Sequence, residues 1–243
     1  MQTNDRNSIK FMLDVRGLSK RFLMHIRGGV EMRSFDDVNI HVSAGKLLAI
    51  TGPSGIGKSS LLKCIYRTYV PNSGEVWYTD MKGEAVNLAA ADEQEILRLR
   101  RDEIGYVSQF LYVPPRVPAV EILMEPLMLR GASATEARVS ARKMLEYVGL
   151  NETLHQMYPS TFSGGEKQRL NILQAIICKP RLLLLDEPTA SLDKGYKKKV
   201  MSLIASLKQE GTGMVGVFHD RDALQYLADE RYDMTERAYC AVS

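Results

Sequence analysis

The chain has 243 residues, of which 32 are Lys or Arg and 29 are Asp or Glu, giving a formal net charge of +3. This length buries a sizeable core, in one large domain or two small ones, without disulfide or metal support. The charge is too small to argue for a nucleic acid or a membrane surface as partner, and no apolar run approaches the roughly 20 residues of a spanning helix.

The N-terminus and the cysteines both indicate a cytoplasmic protein. Residues 1–10 are polar and lack the basic-then-apolar pattern of a secretory leader, so we expect a flexible tail followed by one domain over 11–243. Cys64, Cys178 and Cys240 are odd in number and lack metal-ligand spacing, which is typical of reduced thiols.

The first half of the chain alternates strands with helices. Lys46 begins an apolar run that ends at a glycine-rich turn, as a buried parallel strand does. Alternating residues over 38–42 indicate a strand with one wet face. We expect strands over 11–15, 38–42, 46–51, 74–78 and 104–107, and helices over 59–66 and 93–101.

The pattern becomes helical from residue 110 to residue 162. Prolines interrupt the backbone at 114, 115 and 118, and two helical stretches follow over 119–129 and 135–148. Ser133 and Glu136 have the spacing of a capping box, and Gly149 marks a C-terminal stop. We interpret this segment as a helical insertion between two halves of an α/β core.

Alternation resumes beyond the insertion. We expect helices over 166–178 and 197–210, and strands over 182–185 and 214–218. Strand–helix alternation on both sides of the insertion predicts an α/β fold with a mostly parallel sheet covered by helices. The lysines at 194 and 197–199 indicate a solvated helix face.

A phosphate-loop pattern runs from Gly52 to Ser59, between an apolar strand and a helix. Its glycines let backbone N–H groups converge on phosphate oxygens, and the helix directs its positive N-terminus at the same oxygens. Lys58 supplies a charge for the β- and γ-phosphates, and Ser59 a hydroxyl for magnesium. The nucleotide-binding residues predicted here are Gly52, Pro53, Ser54, Gly55, Ile56, Gly57, Lys58, Ser59 and Ser60.

Two carboxylates follow the apolar run over 182–185. Asp186 ends a buried strand, where a carboxylate needs a partner, and magnesium is the partner we expect. Glu187 comes next, at the edge of the sheet, where its carboxylate is suited to polarise an attacking water.

A Ser-Gly-Gly turn lies between the phosphate loop and these carboxylates. Ser163, Gly164 and Gly165 precede a helix that begins at Glu166. One protomer can hardly use this turn and the phosphate loop on the same nucleotide. The order therefore indicates two chains that close over shared ATP.

Taken together, these motifs resemble the nucleotide-binding domain of the ATP-binding cassette (ABC) family, over roughly residues 11–233. The resemblance implies a P-loop NTPase fold with an antiparallel β subdomain and a helical subdomain inserted at about 110–162. It also implies ATP and Mg²⁺ as cofactors, Mg-dependent ATP hydrolysis and an ATP-dependent homodimer.

The resemblance also implies roles for individual residues. The turn formed by Ser163, Gly164, Gly165 and Glu166 would contact the γ-phosphate held by the opposite subunit. Asp193 would lie in a loop over 191–193 that crosses the dimer interface. Gln109 would reach the metal or the attacking water. His219 would bond the γ-phosphate or hold Glu187 in place.

Four positions qualify the resemblance. Phe22 matches the early aromatic that stacks on adenine in the family, although it could equally be a core residue. Phe162 replaces the usual leucine, and Glu166 replaces the frequent glutamine. Gln174 stands where the family often has arginine, so a salt bridge made by that arginine is in doubt.

A closer resemblance is to the PhnL-type ATPases of the carbon–phosphorus lyase (phosphonate utilisation) system. It depends on segments at 107–111, 115–116, 160–166 and 215–220, and on Asn171. It implies that the partners are soluble carbon–phosphorus lyase core subunits, with a second ABC-type ATPase as a further candidate. It implies no nucleic-acid partner and no direct membrane insertion.

Other functions remain open at this point. The ATP-hydrolysing subunit of a membrane transporter, of the lipoprotein-releasing or macrolide-export type, would share the ATPase residues and differ in what docks on the insertion. An assembly module would use ATP as a clamp with little turnover. A small-molecule P-loop kinase is disfavoured because it leaves the turn at 163–165 unexplained.

Overall fold

The computed structural model describes residues 11–24, 30–109, 116–240 and 242. The expected tail over 1–10 and part of the phosphonate-type segments, over 110–115, lie outside the described residues. The strands are β1 (Leu13–Met24), β2 (Val30–Val42), β3 (Leu47–Thr51), β4 (Ser73–Thr79), β5 (Ala85–Asn87), β6 (Ile104–Val107), β7 (Leu182–Asp186), β8 (Gly213–Val217), β9 (Glu230–Asp233) and β10 (Ala238–Cys240). The helices are α1 (Lys58–Ile65), α2 (Glu93–Asp102), α3 (Ala119–Leu129), α4 (Ala134–Tyr147), α5 (Glu152–His155), α6 (Gly164–Ile176), α7 (Lys194–Gln209) and α8 (Arg221–Leu227), with a 3-10 turn at Pro159–Thr161.

The strands form two sheets. Four strands make an antiparallel sheet in the order β2-β1-β4-β5. Six strands make a second sheet in the order β10-β9-β3-β8-β7-β6, in which only β10 runs antiparallel to its neighbour. This arrangement confirms the predicted α/β fold with a mostly parallel core and an antiparallel β subdomain.

The strand β7 explains why the larger sheet is buried on both faces. Leu183 and Leu185 pack into one apolar cluster together with α3, α4, α6 and α7. Leu182 and Leu184 point to the other face, into the cluster that contains α1 and the antiparallel sheet. Because side chains alternate along a strand, an unbroken leucine run supplies both faces at once.

The segment between β6 and α6 is helical, as predicted. Within it, α3 and α4 pack on each other, and α3 also packs on α6. The capping box at the start of α4 is confirmed, because Ser133 N donates to Glu136 Oε2 at 3.0 Å and Glu136 N donates to Ser133 Oγ at 3.3 Å. None of the helices in the described ranges is both long enough and apolar enough to cross a bilayer.

Several element boundaries differ from the sequence predictions. The helix α6 begins at Gly164 because Ser163 caps it, and α7 begins at Lys194 because the carboxylate of Asp193 accepts N–H groups of its first turn. The strands β1 and β2 are much longer than expected, since their pairing continues through register shifts. The elements β5, α5, α8, β9 and β10 were not predicted.

A buried ionic network joins the two sheets beside α2. The guanidinium of Arg98 lies 3.3 Å from Asp80 Oδ2 and 3.3 Å from Glu103 Oε1, and these carboxylates are 1% and 2% exposed. Burial alone would raise the pKa of Asp80. Backbone N–H donation from Glu84 and Lys82, together with Arg98, outweighs burial and holds that pKa below its usual range.

Replacing this cation is expected to destabilise the fold. Arg98→Met should lower the free energy of unfolding by about 3 kcal/mol at neutral pH, because two buried carboxylates lose their partner. The depressed folded-state pKa of Asp80 means that its stabilisation is present above the unfolded pKa and is lost as pH falls through the folded pKa. The deficit of the variant should therefore shrink in acid, which urea unfolding at neutral pH and below about pH 3 measures.

Arg101→Met is the matched control, because Arg101 is 52% exposed and pairs with Asp102 at the surface. Arg101→Met should unfold as the wild type does, because an exposed ion pair contributes little to stability. Equal losses for the two variants would contradict the assignment of the network.

Candidate nucleotide and metal site

Four parallel strands bring the predicted site residues to one edge of the larger sheet. The strand β3 leads into Gly52, β7 ends at Asp186, β8 is followed by His219, and β6 is followed by Gln109. The carboxyl ends of parallel strands share one edge, which is where open α/β sheets bind their ligands.

The backbone of the phosphate loop depends on its glycines. Gly52, Gly55 and Gly57 have φ angles of 134°, 82° and 104°, in the left-handed region that side chains disfavour. A Cβ atom on Gly57 would also lie 2.5 Å from the carbonyl oxygen of Ser34. The loop can therefore hold this shape only with glycine at these positions.

The start of α1 is suited to an anion. Its N-cap is Gly57, which brings no side-chain cap, whereas α2, α4, α6 and α7 each receive one from a serine or an aspartate. The N–H groups of the first turn of α1 therefore remain available for a ligand such as phosphate.

The ammonium group of Lys58 is held inside the same loop. Its Nζ donates to the carbonyl oxygens of Gly52 at 2.8 Å and Pro53 at 2.9 Å, and the residue is 7% exposed. A lysine ammonium has three donors, so one remains for a phosphate oxygen. The loop therefore fits a triphosphate both in its charge and in its donors.

Ser59 and Asp186 meet at the predicted magnesium position. Ser59 Oγ donates to Asp186 Oδ1 at 2.8 Å, and Tyr106 OH donates to Asp186 Oδ2 at 3.3 Å. Burial raises the pKa of Asp186, against the lowering effect of these two donors and of the charge of Lys63.

A serine hydroxyl and a carboxylate are ligands of the type that Mg²⁺ prefers. In the part of the chain that the structure describes, no cluster of three or more His, Cys, Asp or Glu could hold a metal by itself. Magnesium bound at this position would take its remaining ligands from phosphates and water, as it does in nucleotide sites.

Glu187 and His219 form a pair beside this position. Glu187 Oε1 lies 2.9 Å from His219 Nε2, and the side chains are 20% and 56% exposed, respectively. Glu187 has a φ of 53°, a conformation that non-glycine residues seldom adopt. Its N–H donates to Val217 O at 3.1 Å, which ties the strained residue to β8. Such strain persists only where the surrounding structure enforces it, and it clusters at functional sites.

The Ser-Gly-Gly turn caps α6 through a capping box. Ser163 Oγ donates to Glu166 Oε2 at 2.8 Å, Ser163 N donates to the same oxygen at 2.7 Å, and Glu166 N donates back to Ser163 Oγ at 3.3 Å. Hydrogen bonds from Ser163 lower the pKa of Glu166, so its carboxylate carries a negative charge at neutral pH. A charge therefore lies one hydrogen bond from the predicted γ-phosphate contact.

The turn contacts the loop that leads into α7. A Cβ atom on Gly165 would lie 3.1 Å from the carbonyl oxygen of Ser191. Asp193 closes this loop by accepting the N–H groups of Gly195 and Tyr196 at 2.9 and 3.1 Å. The two segments predicted to face a second subunit are therefore neighbours on one surface.

The turn and the phosphate loop remain separate within the chain. Within residues 11–24, 30–109 and 116–240, no hydrogen bond or ion pair joins the turn at 163–165 to the loop at 52–59. In the described residues, the turn and the phosphate loop therefore make separate sets of contacts.

Two further predicted residues lie at the margin of the site. Gln109 lies two residues after β6 and is exposed. Among the described residues, the hydrogen bonds of Ser59 and Asp186 do not involve its amide. Phe22 is partly buried, with its ring 5.2 Å from that of Tyr69 in an edge-on contact. The adenine and metal roles of these residues stay predictions.

Sequence reasoning missed two residues of this region and misjudged one of them. Tyr106 was part of an apolar strand pattern, and only the pairing of β6 with β7 brings its hydroxyl to Asp186. The sequence predicts that the lysines after Asp193 form a solvated face. This prediction is wrong for Lys197, which is 16% exposed and pairs with Asp220, a residue that follows β8 in the sequence.

The fold and this geometry define the chain as a P-loop nucleotide-binding domain with a second, outward-facing serine turn. The profile of the family described as "ABC transporter" matches residues 35–190. The chain belongs to the ABC transporter family as an ATPase nucleotide-binding domain, and ABC ATPases bind ATP with Mg²⁺.

Curated relatives and solved structures agree with this assignment. The chain is 37% identical to the "Glutamine transport ATP-binding protein GlnQ" of Escherichia coli (strain K12), over 86% of this chain and 81% of that protein. It is 37% identical to the "Lipoprotein-releasing system ATP-binding protein LolD" of Koribacter versatilis, over 75% and 79%. The structure of the ATP-binding cassette MJ0796, a dimer in a post-hydrolysis state with ADP and Pi, superposes with a TM-score of 0.85 at 28% identity, over 96% of this chain and 99% of that one.

Proposed function

We propose that this chain is the cytoplasmic ATP-hydrolysing subunit of a larger complex, and that two copies close over ATP during each cycle. The observation that carries the proposal is the Glu187–His219 pair, 2.9 Å apart, beside the Ser59–Asp186 pair at 2.8 Å. This is the set of groups that phosphoryl transfer to water needs: a metal position, a base and a group that orients the base.

Each residue of the site has a distinct role in the proposal. Lys58 and the N–H groups of the loop bind the phosphates, and Ser59 and Asp186 hold magnesium. Magnesium, when bound, neutralises charge on the phosphate oxygens. Glu187 orients the attacking water and draws on its proton, while His219 holds Glu187 in place or bonds the γ-phosphate.

The remaining predicted residues act around this centre. Gln109 would report the state of the metal or the water to the helical insertion that follows it. Phe22 would stack on adenine. Ser163, Gly164 and Gly165 of the second copy would complete the γ-phosphate contacts, with Asp193 in the crossing loop. Such an interface is self-complementary, so one closed dimer contains two composite sites.

The carboxylate at Glu166 is expected to weaken this closed dimer. Its Oε2 accepts a hydrogen bond from Ser163 Oγ at 2.8 Å. In the closed dimer its negative charge would therefore lie close to the triphosphate bound by the opposite copy. Glu166→Gln should lower the ATP concentration for half-maximal dimerisation by about fivefold, because a unit charge at such a site contributes about 1 kcal/mol. Sedimentation velocity across an ATP series measures the shift, which should diminish at high salt.

The chain offers a matched control for this change. Ser133 and Glu136 form the same capping box at the start of α4, with a hydroxyl donated at 2.6 Å. Glu136→Gln should therefore perturb a helix cap equally and leave dimerisation unchanged. Equal shifts for both variants, or weaker dimerisation of Glu166→Gln, would contradict the charge effect.

The comparisons bear on which complex the dimer works in. The relatives GlnQ and LolD are named for glutamine transport and lipoprotein release. These names favour a membrane transporter as the partner over a carbon–phosphorus lyase complex. The helical insertion that follows Gln109 is the surface on which we expect the partner to dock.

A carbon–phosphorus lyase complex is the second candidate, favoured by the chain's own segments at 107–111, 160–166 and 215–220 and by Asn171. The relatives share 37% identity with this chain although their named cargoes differ, so identity at this level follows the ATPase rather than the partner. In this role the chain would work with soluble core subunits of the phosphonate pathway, and with a second ABC-type ATPase as a further candidate.

Affinity purification of a tagged chain from its own cells decides between the partners. Recovery of a multi-span permease from solubilised membranes, with growth on phosphonate intact in a deletion strain, supports the transporter. Recovery of carbon–phosphorus lyase subunits without detergent, with loss of growth on a phosphonate as sole phosphorus source, supports the second candidate.

A further inference from the structure

We propose that Lys197 is a positioning residue for ATP hydrolysis, acting on His219 and Glu187 through its ion pair with Asp220. The inference rests on the proposed function and concerns how the same site is kept in order. It starts from a lysine that the sequence pattern assigns to a solvated surface and that the structure shows paired and 16% exposed.

The location of Lys197 is unusual for a cation. It lies on the first turns of α7, where Lys197 N donates to Asp193 O at 2.9 Å, and the first turn contains no acidic residue. The positive end of the helix dipole disfavours a lysine there. The carboxylate of Asp193 caps the start of α7, but Lys197 pairs with a carboxylate from outside the helix: Lys197 Nζ donates to Asp220 Oδ2.

Both carboxylate oxygens of Asp220 accept hydrogen bonds. Its Oδ1 caps α8 by accepting the N–H groups of Asp222 at 2.9 Å and Ala223 at 3.4 Å. Its Oδ2 accepts from Lys197, while the more distant Asp222 carboxylate, 3.9 Å from Lys197 Nζ, is 88% exposed. The lysine therefore holds the turn at the start of α8 against α7.

That turn carries His219, the neighbour of Asp220 in sequence. His219 is 56% exposed, and its described polar contact is the one with Glu187, so its own packing holds it weakly. A cleft of about 410 Å³ is lined by Glu187, His219, Asp220 and Lys197, so the ion pair and the Glu187–His219 pair border the same cleft. Because α7 begins directly after Asp193, Lys197 also links the loop predicted to cross the dimer interface to the turn that holds His219.

This arrangement predicts an effect on turnover rather than on nucleotide binding. Lys197→Met should lower kcat for ATP about tenfold, since small displacements of a catalytic group lower rates by such factors. The KM for ATP and the unfolding midpoint should stay at wild-type values, and Lys197→Arg should restore most of the rate. Lys198→Met, at an exposed neighbouring lysine, should behave as wild type.

Asp220→Asn tests the same pair from the other side. Its amide oxygen can still cap α8, but its amide nitrogen cannot accept from the lysine. This variant should lose turnover to a similar extent, and the Lys197→Met/Asp220→Asn double variant should lose little more, as expected of residues that act as a unit.

Steady-state ATPase assays, combined with thermal unfolding, decide whether Lys197 positions the site or only stabilises the fold. A kcat for Lys197→Met equal to that for Lys198→Met would overturn the inference. So would a fall in rate accompanied by a raised KM and a lowered unfolding midpoint, because that pattern marks a merely structural ion pair. Retained turnover in Glu187→Gln would instead refute the proposed function, so the two failures are distinguishable.

Discussion

Glu187→Gln is expected to lower kcat for Mg-ATP hydrolysis by about 10²–10³-fold while leaving ATP binding intact. The substitution keeps the shape of the side chain and removes the charge that orients the attacking water. Losing one well-placed electrostatic group of this kind raises the barrier by about 3–4 kcal/mol. Phosphate release at saturating ATP measures the rate, and titration with a fluorescent ATP analogue measures binding.

Glu136→Gln is a suitable control, because it removes an exposed carboxylate in the helical insertion that takes no part in the proposed site. It should hydrolyse ATP as the wild type does. Wild-type turnover in Glu187→Gln would show that another group serves as the base. Very slow turnover in the wild type itself would favour the assembly module that uses ATP as a clamp.

Lys58→Ala is expected to act on binding rather than on chemistry alone. The change removes the charge that faces the phosphates and the two hydrogen bonds that hold Gly52 and Pro53, at 2.8 and 2.9 Å. Charged hydrogen bonds contribute about 1.5–3 kcal/mol, so the Kd for ATP should rise about 10–100-fold. The fluorescent analogue titration measures this change directly.

Lys82→Ala removes an exposed lysine remote in sequence from the loop and serves as the control. Its Kd should match that of the wild type. An unchanged affinity in Lys58→Ala would mean that the loop at 52–59 does not bind the triphosphate as proposed.

Much of the fold could be predicted because local patterns agree with the global structure. The unbroken leucine run over 182–185 is typical of a strand buried on both faces, and the glycines before Lys58 favour a tight loop between strand and helix. The capping box at Ser133 located the start of α4 to within one residue. Elements without such signals, such as β9 and β10, become strands only through pairing with β3 and with each other.

The site was predicted in its composition but not in its conformation. Motif spacing identified Asp186 and Glu187, but it did not indicate the left-handed φ of Glu187 or the hydrogen bond from its N–H to β8. The hydroxyl of Tyr106 reaches Asp186 only because β6 pairs with β7. Contacts between residues far apart in sequence are set by tertiary packing, and no local propensity encodes them.

The mass of the Glu187→Gln chain in solution tests the central claim, that two copies close over shared ATP, most directly. Multi-angle light scattering at one protein concentration, with Mg-ATP and then with Mg-ADP, is the measurement. The account predicts a dimer with ATP, because unhydrolysed nucleotide persists between Lys58 of one copy and Ser163 of the other, and a monomer with ADP. A monomer in both nucleotides, at an ATP concentration that the titration shows to saturate the sites, would contradict it.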